Sequence, residues 1–257
     1  MQATGERREL AGNTSFLAIG LSRPKRSPGW NRWLTPVGGI RIFAWENGAG
    51  VMPAFVEHRS SYGEMMRICV YAASSPQAAP EFHAAARTLG ETLATSNCSI
   101  VYGGGSQGLM GSLADGALSK GGEVIGILPR FMADLEWGHP GLTHLDLVED
   151  MRERKHKLLT GSDAVIALPG GCGTLEELFE AITLKRLGLY FNPIILLNTR
   201  NFYAPLQGFM EQVIEEKFLN PEHAQMWSLV DAPEQVLPAI AATPKWREDA
   251  RDYAIVR

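Results

Sequence analysis

Apolar residues follow a regular pattern from Arg67 onward, in which short runs rich in β-branched residues alternate with longer amphipathic stretches. The short runs predict strands at 68–72, 99–102, 123–128, 145–148, 164–168 and 194–197. The longer stretches predict helices at 80–95, 109–119, 151–160, 174–187, 203–217 and 233–242. Because strands that alternate with such helices form right-handed crossovers, we expect an α/β fold, a Rossmann-like, doubly wound parallel sheet in three α/β/α layers.

Residues 1–64 lack this regular pattern. They contain the turn dipeptides Pro28-Gly29 and Gly38-Gly39 and show no sustained period of 2 or 3.6. Their eight Arg/Lys and five Asp/Glu give a local charge of +3, which leaves −7 for residues 65–257. We therefore expect an irregular or disordered N-terminal extension followed by one Rossmann-like domain over 65–257.

The overall composition is that of a globular protein, with 45% hydrophobic residues and a formal net charge of −4. Such a charge offers no general attraction for DNA or RNA, so we expect no nucleic-acid partner. Cys69, Cys98 and Cys172 lack paired spacing and predict neither a disulfide framework nor a zinc site. The longest early apolar stretch, 16–21, is too short to span a bilayer and lacks the layout of a secretory signal. We expect a cytoplasmic protein with no membrane partner.

In a doubly wound sheet, ligands bind at the carboxyl ends of the strands. After the first predicted strand come Ser74 and Ser75, which are candidates for ligand contact, although hydroxyls at such a turn also cap helices. After the second strand, residues 103–108 read GGGSQG, which satisfies the pattern G-x-G-x-x-G and leads into a helix. This context predicts a phosphate-binding loop, with a simple tight turn as the alternative.

The glycines Gly104, Gly105 and Gly108 would let the backbone of this loop approach a phosphate. A complete NAD site is disfavoured, because the acidic residue that meets the ribose should end the next strand. Glu123 has the right distance along the chain but begins that strand.

A second glycine-rich turn follows the strand at 164–168 and again leads into a helix, since residues 169–174 read PGGCGT. Gly170, Gly171 and Gly173 are therefore candidates for a second phosphate contact. On the helix that follows, the apolar spacing predicts a buried stripe made of Leu175, Leu178, Phe179 and Ile182.

Glu177 is expected roughly opposite that stripe, on the side that it shares with Thr174 at the mouth of the loop. This position suits either a ligand contact or a solvated glutamate that is favoured by the helix dipole. For Glu176 and Glu180 the solvated interpretation is preferred.

On the helix at 151–160, Met151 and Leu158 mark the inward side, and Arg154 and Lys155 straddle it. Basic side chains rarely turn inward without an anionic partner, because an unpaired buried charge is unfavourable. We favour a ligand phosphate or a carboxylate such as Glu177 as that partner. The alternative is that both side chains extend outward along apolar neighbours.

Other chemistries receive less support. Cys172 lies among backbone donors that would lower the pKa of a thiol, but no histidine lies near it in the sequence. His139, His144 and His156 lack metal-binding spacing, so we expect no metal. The chain also lacks a G-x-x-x-x-G-K-[ST] element, and nothing marks a lysine for pyridoxal phosphate, so we expect no cofactor.

Together these segments resemble the LONELY GUY (LOG) family. Residues 169–177 read PGGCGTLEE and match the family signature P-G-G-x-G-T-x-x-E, and residues 151–155 read MRERK, similar to M-x-x-R-K. Residues 102–111 resemble the first phosphate loop of the family, and residues 70–75 its opening strand and turn. The likeness spans about residues 66–242. LOG proteins begin close to their first strand, so residues 1–64 depart from the family, and we interpret them as a mispredicted start or an appendage.

The resemblance implies a cytokinin riboside 5′-monophosphate phosphoribohydrolase, which cleaves an N-glycosidic bond to release the free base and ribose 5-phosphate. Some members also cleave AMP, and an old label of the family, lysine decarboxylase, has no support in this sequence. The resemblance implies that Arg154 and Glu177 are the catalytic pair. It also implies a homodimer whose site is completed near the subunit interface, and further nucleotide-binding residues, which are Lys155, Gly171, Gly173, Thr174, Thr183 and Glu136.

Two alternatives to hydrolysis stay open. A non-catalytic nucleotide or cofactor carrier of Rossmann-like fold would need only the glycine loops. A dimeric scaffold with vestigial loops is the other alternative. The sequence also leaves open whether the preferred base is adenine or an N6-prenylated adenine.

Overall fold

The computed structural model describes residues 41–46, 51–57, 65–133 and 138–254. The chain divides into two units, Met1–Gly63 and Glu64–Arg257, close to the change in composition. In the first unit, strands β1 (Arg41–Glu46) and β2 (Val51–Glu57) pair antiparallel. This pair was not predicted, because neither run shows a clear alternation of apolar and polar residues. The rest of residues 1–64 lies outside the described residues.

The second unit contains a parallel sheet, as predicted, with seven strands rather than the six that the sequence indicated. Its strands are β3 (Met66–Tyr71), β4 (Cys98–Tyr102), β5 (Val124–Pro129), β6 (His144–Val148), β7 (Ala164–Ala167), β8 (Ile194–Leu197) and β9 (Ser228–Val230). Their order is β6-β5-β4-β3-β7-β8-β9. Only β9 was missed, since three half-buried residues at the edge of a sheet leave no periodic signal.

Seven α-helices are described. They are α1 (Pro80–Thr95), α2 (Gly108–Ser119), α3 (Arg130–Ala133), α4 (Met151–Leu159), α5 (Cys172–Arg186), α6 (Ala204–Glu215) and α7 (Val236–Ala242). The predicted last helix is split, because residues Pro233–Gln235 form a separate 3-10 turn before α7. The short helix α3 lies in a stretch without periodicity and was not predicted.

The core lies on both faces of the sheet. Ile68 and Val70 of β3 belong to a cluster with side chains of α1, α2 and α7, whereas Cys69 and Tyr71 belong to a second cluster with side chains of α4, α5 and α6. The central strands are thus covered on both sides, which explains their continuous apolar sequences. The predicted three-layer α/β/α arrangement is confirmed.

The strand order reverses between β3 and β7. From β3 the chain moves outward to β4, β5 and β6, then returns through α4 to β7 on the other side of β3. Loops that leave neighbouring strands in opposite directions open a crevice at their carboxyl ends, which is where ligands bind in such sheets.

Within the described residues, no helix is long and apolar enough to cross a membrane.

Candidate active site

A cavity of about 530 Å³ opens at this reversal point, a volume typical of small-molecule sites. Segments that follow β3, β4 and β5 form its walls together with α4 and the beginning of α5. Its lining residues are Ala72, Ala73, Ser74, Ser75, Gly103, Gly105, Ser106, Gln107, Met110, Leu128, Met132, Arg154, Gly171, Gly173, Thr174 and Glu177. The cavity therefore brings together both predicted glycine loops and both predicted catalytic residues.

Two helices begin at this cavity. The N-cap residues are Gln107 for α2 and Gly171 for α5, and in the described structure no side-chain hydrogen bond caps either helix. Backbone N–H groups in the first turn of a helix lack acceptors within the helix and carry positive potential. The helix starts therefore create a favourable environment for an anion such as a phosphate.

The glycines of the two loops have different tasks. A Cβ atom at Gly170 would lie 2.2 Å from Thr174 Oγ1, and one at Gly108 would lie 2.4 Å from the carbonyl carbon of Ser74. These two glycines therefore permit close packing within the protein. By contrast, a Cβ atom at Gly171 or Gly173 would meet no described atom within 4 Å, so the backbone there is open to a ligand.

Gly104, Gly108 and Gly170 do not line this cavity in the described structure, although the sequence analysis placed them at the ligand. Gly104 adopts a φ of +78°, which favours glycine, and its carbonyl accepts a hydrogen bond from His139 N at 2.9 Å. These three glycines shape the loops, whereas Gly105, Gly171 and Gly173 face the cavity.

Ser74 and Ser75 are exposed at the end of β3 and line the cavity. Helix α1 has Ala79 as its N-cap, so neither serine caps it and that alternative is wrong. Ser75 Oγ instead accepts a hydrogen bond from Gln77 N at 3.4 Å. The hydroxyls therefore lie where a bound phosphate or sugar could be contacted.

Arg154 is held in the cavity from several sides. Asp150 caps α4 by accepting hydrogen bonds from Arg152 N at 2.8 Å and Glu153 N at 2.9 Å, which fixes the start of this helix. Arg154 itself is only 9% exposed, so its guanidinium needs partners inside the protein.

Two of the partners of the Arg154 guanidinium are backbone carbonyls near the carboxyl ends of β4 and β5. Arg154 Nε donates to Ile127 O at 3.2 Å and Nη2 donates to Gly103 O at 3.4 Å. A Cβ atom at Gly103 would lie 2.2 Å from Nη2, so only glycine leaves room for the guanidinium. This role of Gly103 was not predicted, although Gly103 is the first glycine of the loop GGGSQG.

Glu177 faces Arg154 across the cavity, with 3.6 Å between Arg154 Nη1 and Glu177 Oε1. Burial raises the pKa of Glu177 from 4.5 to about 7, against the opposing effect of Arg154. A carboxyl group with a pKa near neutral can gain or lose a proton under physiological conditions. The inward orientation of Arg154 and its carboxylate partner were both predicted.

The orientation of α5 was predicted wrongly. Its buried residues are Thr174, Glu177, Leu178, Ala181, Ile182 and Lys185, whereas Phe179 is 36% exposed. Glu177 thus lies on the buried side of the helix rather than opposite it. The prediction failed because three polar residues occupy inward positions, so the spacing of apolar residues alone gave a displaced stripe.

Lys155 and Thr183 do not line the cavity in the described chain, so their contact with a nucleotide stays a prediction. Lys155 Nζ forms ion pairs with Glu176 at 2.5 Å and with Glu180 at 3.2 Å. These carboxylates are therefore paired rather than simply solvated. Thr183 is exposed on α5, nine residues beyond Thr174 and roughly 13 Å further along the helix axis. Glu136 lies outside the described residues.

An apolar side of the cavity was not predicted. Met110 of α2, Leu128 of β5 and Met132 of α3 line it. Leu128 and Met132 lie at and just after the carboxyl end of β5, whereas Met110 lies in the first turn of α2, within the segment 102–111 that resembles the first phosphate loop. Cys172 is exposed beside the second loop but does not line the cavity in the described structure. No group of three or more His, Cys, Asp or Glu is placed to hold a metal ion within the described segments.

The fold and the cavity define the class of this chain, a Rossmann-like α/β protein with a small-molecule site at the reversal point of its sheet. A family model described as "Possible lysine decarboxylase" matches residues 110–240. The chain is 40% identical to a cytokinin riboside 5′-monophosphate phosphoribohydrolase from Rhodococcoides fascians over 171 residues. These residues are 66% of this chain and 86% of that protein. The chain belongs to this family, the LOG family, as its motifs predicted.

A second relative comes from Arabidopsis thaliana and is named cytokinin riboside 5′-monophosphate phosphoribohydrolase LOG1. It is 40% identical over 167 residues, which are 65% of this chain and 78% of that protein. Among solved structures, a molybdenum cofactor carrier protein from Chlamydomonas reinhardtii is similar, with a TM-score of 0.54, 20% identity and coverage of 69% of this chain and 96% of that chain. At this identity the likeness concerns the fold alone.

Proposed function

We propose that this protein hydrolyses the N-glycosidic bond of adenosine 5′-monophosphates, including N6-substituted ones such as cytokinin riboside 5′-monophosphate. The products are the free base and ribose 5-phosphate. The observation that carries the proposal is the buried pair of Arg154 and Glu177 in a cavity beside two open helix starts. The names of the two relatives support this substrate class.

The lining of the cavity suggests how a nucleotide lies in it. The helix starts at Gln107 and Gly171 offer backbone N–H groups for the phosphate. The sugar then lies beside Glu177, and the apolar side chains of Met110 and Met132 receive the flat base. Phosphate binding at the non-reacting end would hold C1′ close to the carboxylate.

Cleavage of the C1′–N9 bond builds positive charge on the ribose and negative charge on the departing base. We assign Glu177 to stabilise that positive charge or to take a proton from the attacking water, whose oxygen becomes bonded to C1′. The departing base gains a proton. Arg154, held by the carbonyls of Ile127 and Gly103, keeps Glu177 in position and adds positive charge beside the substrate.

The test is release of free base from AMP and from isopentenyladenosine monophosphate, followed by chromatography. Glu177→Gln should bind both nucleotides and lose turnover by about 100-fold or more, because a positioned acid or base typically contributes that much. Glu211→Gln, on the exposed side of α6, is the matched control and should retain full activity. Unaltered turnover in Glu177→Gln would remove this residue from the mechanism, and binding without release by the unmodified protein would indicate a carrier.

The proposal extends to a cytoplasmic homodimer whose site is completed near the subunit interface. Exposed apolar side chains support an interface at the edge strand β6 and the start of α4, since Leu145 and Leu147 of β6 and Met151 of α4 are all more than a third exposed. Static light scattering over a range of protein concentrations would show a mass of two chains. A single-chain mass at all concentrations would contradict this part of the proposal.

A further inference from the structure

Three carboxylates lie close together in the second and third turns of α5. They are Glu176, Glu177 and Glu180, and of these three Glu177 is the buried one. Carboxylates this close raise one another's pKa and disfavour the charged form of the most buried one. Such a cluster therefore needs positive charge from a neighbouring element.

Helix α4 supplies two positive charges to this cluster, and they have different partners. Arg154 lies in the cavity and faces Glu177. The next residue, Lys155, lies on the outer side, where its Nζ bridges Glu176 at 2.5 Å and Glu180 at 3.2 Å. The side chain of Lys155 is only 19% exposed, so this bridge is partly shielded from solvent.

We propose that Lys155 is a positioning residue, which acts on catalysis by holding and neutralising Glu176 and Glu180 beside Glu177 rather than by touching the nucleotide. This inference rests on the proposed function, because it concerns the carboxylate of the same site. It gives Lys155 a task other than the ligand contact that the family resemblance implies.

The other groups that face Glu177 do not replace Lys155. From β3, Cys69 and Tyr71 lie close enough to interact electrostatically with Glu177, and burial raises the pKa of both, so they stay uncharged at neutral pH. Besides burial, the described groups that act on the pKa of Glu177 are Arg154 and Lys155, which lower it, and Glu176 and Glu180, which raise it. Loss of Lys155 would leave one arginine to balance three carboxylates.

The experiment follows the titration of the Glu177 carboxyl carbon by NMR in protein labelled with ¹³C-glutamate, with Glu177→Gln to identify the signal. The unmodified protein should titrate near pH 7. Lys155→Met should titrate at least about half a pH unit higher, because a nearby positive charge is lost. Lys155→Arg should restore the original midpoint, since it keeps the charge and can bridge both carboxylates.

Lys157→Met is the matched control. Lys157 lies on the same helix and pairs with Glu153 at 3.4 Å, away from the cluster on α5, so the Glu177 midpoint should stay unchanged. The double variant Glu176→Gln/Glu180→Gln tests the inference without removing Lys155. It alters two exposed side chains and should move the midpoint downward, because two negative neighbours are lost.

The inference is overturned if Glu177 titrates at the original pH in either Lys155→Met or the double variant, since it requires both shifts. It is also overturned if Lys155→Met only raises the KM for AMP, with no change in the pH profile of kcat, since that result indicates a direct nucleotide contact. The titration needs no substrate. Shifted midpoints in a protein that releases no base would therefore refute the proposed function, and with it the catalytic part of the role of Lys155, while the electrostatic effect of Lys155 on Glu177 would stand.

Discussion

Lys185 offers a sharp test of the energetics of α5. It is 1% exposed, its Nζ donates to Asn192 O at 3.0 Å, and it lies 5.7 Å from the centre of the Trp246 ring. Burial lowers the pKa of Lys185 from 10.5 to about 8. Because the folded-state pKa lies below the unfolded-state value, the unfolded chain binds more protons between pH 8 and pH 10.5, and stability should rise with pH in that window.

The magnitude follows from the two pKa values. A single lysine with these values adds about 2 kcal/mol to the free energy of unfolding when the pH rises from 7 to 9.5. Lys185→Met keeps an unbranched side chain of similar length but loses this titration. The variant also leaves the Asn192 carbonyl without its donor, but this penalty is the same at both pH values and cancels in the comparison.

The assay is urea unfolding of both proteins at pH 7 and pH 9.5, at equal protein concentration because association would shift the apparent stability. The difference in unfolding free energy, unmodified protein minus variant, should increase by about 2 kcal/mol at the higher pH. Equal pH dependence in the two proteins would refute the argument, whatever their absolute stabilities.

Two further predictions concern the supports of Arg154. Gly103→Ala places a methyl group where Arg154 Nη2 lies, so turnover of AMP should fall by about tenfold or more while the circular dichroism spectrum is retained. Gly208→Ala, at an open position in α6, is its control and should not alter turnover. Asp150→Ala removes the N-cap of α4 and should lower the melting temperature. Asp150→Asn should lower the melting temperature much less, because asparagine also caps helices. Equal melting temperatures for the two Asp150 variants would contradict the capping role.

The sheet and most helices could be predicted because the central strands are buried on both faces. Such strands have continuous apolar sequences, and the helix at Pro80–Thr95 and the strand at Ile194–Leu197 were predicted with their observed bounds. The edge strand Ser228–Val230 was not predicted, since three half-buried residues leave a weak pattern. The pair Arg41–Glu46 and Val51–Glu57 was not predicted either, since neither run shows a clear alternation of apolar and polar residues.

The candidate site could be predicted in part, and the reason differs between residues. The glycine loops and the inward turn of Arg154 follow from local rules, because each depends on its own helix or turn. Gly103 makes room for Arg154, whereas Gly171 faces the cavity. This difference depends on elements that are distant in the sequence. The same is true of Lys155, whose partners on α5 lie 21 and 25 residues further along the chain.

The buried face of α5 also distinguishes hydrolysis from mere binding. A carrier with this fold needs backbone donors and open glycines, which Gly171 and Gly173 already provide. It has no need to bury Glu177, whose raised pKa reflects a penalty of about 3 kcal/mol on the charged form relative to solvent. A penalty of that size is a large part of the stability of a single domain. A buried Glu177 beside Arg154 is understandable if its carboxylate acts on a bound substrate, as glycosidic cleavage requires.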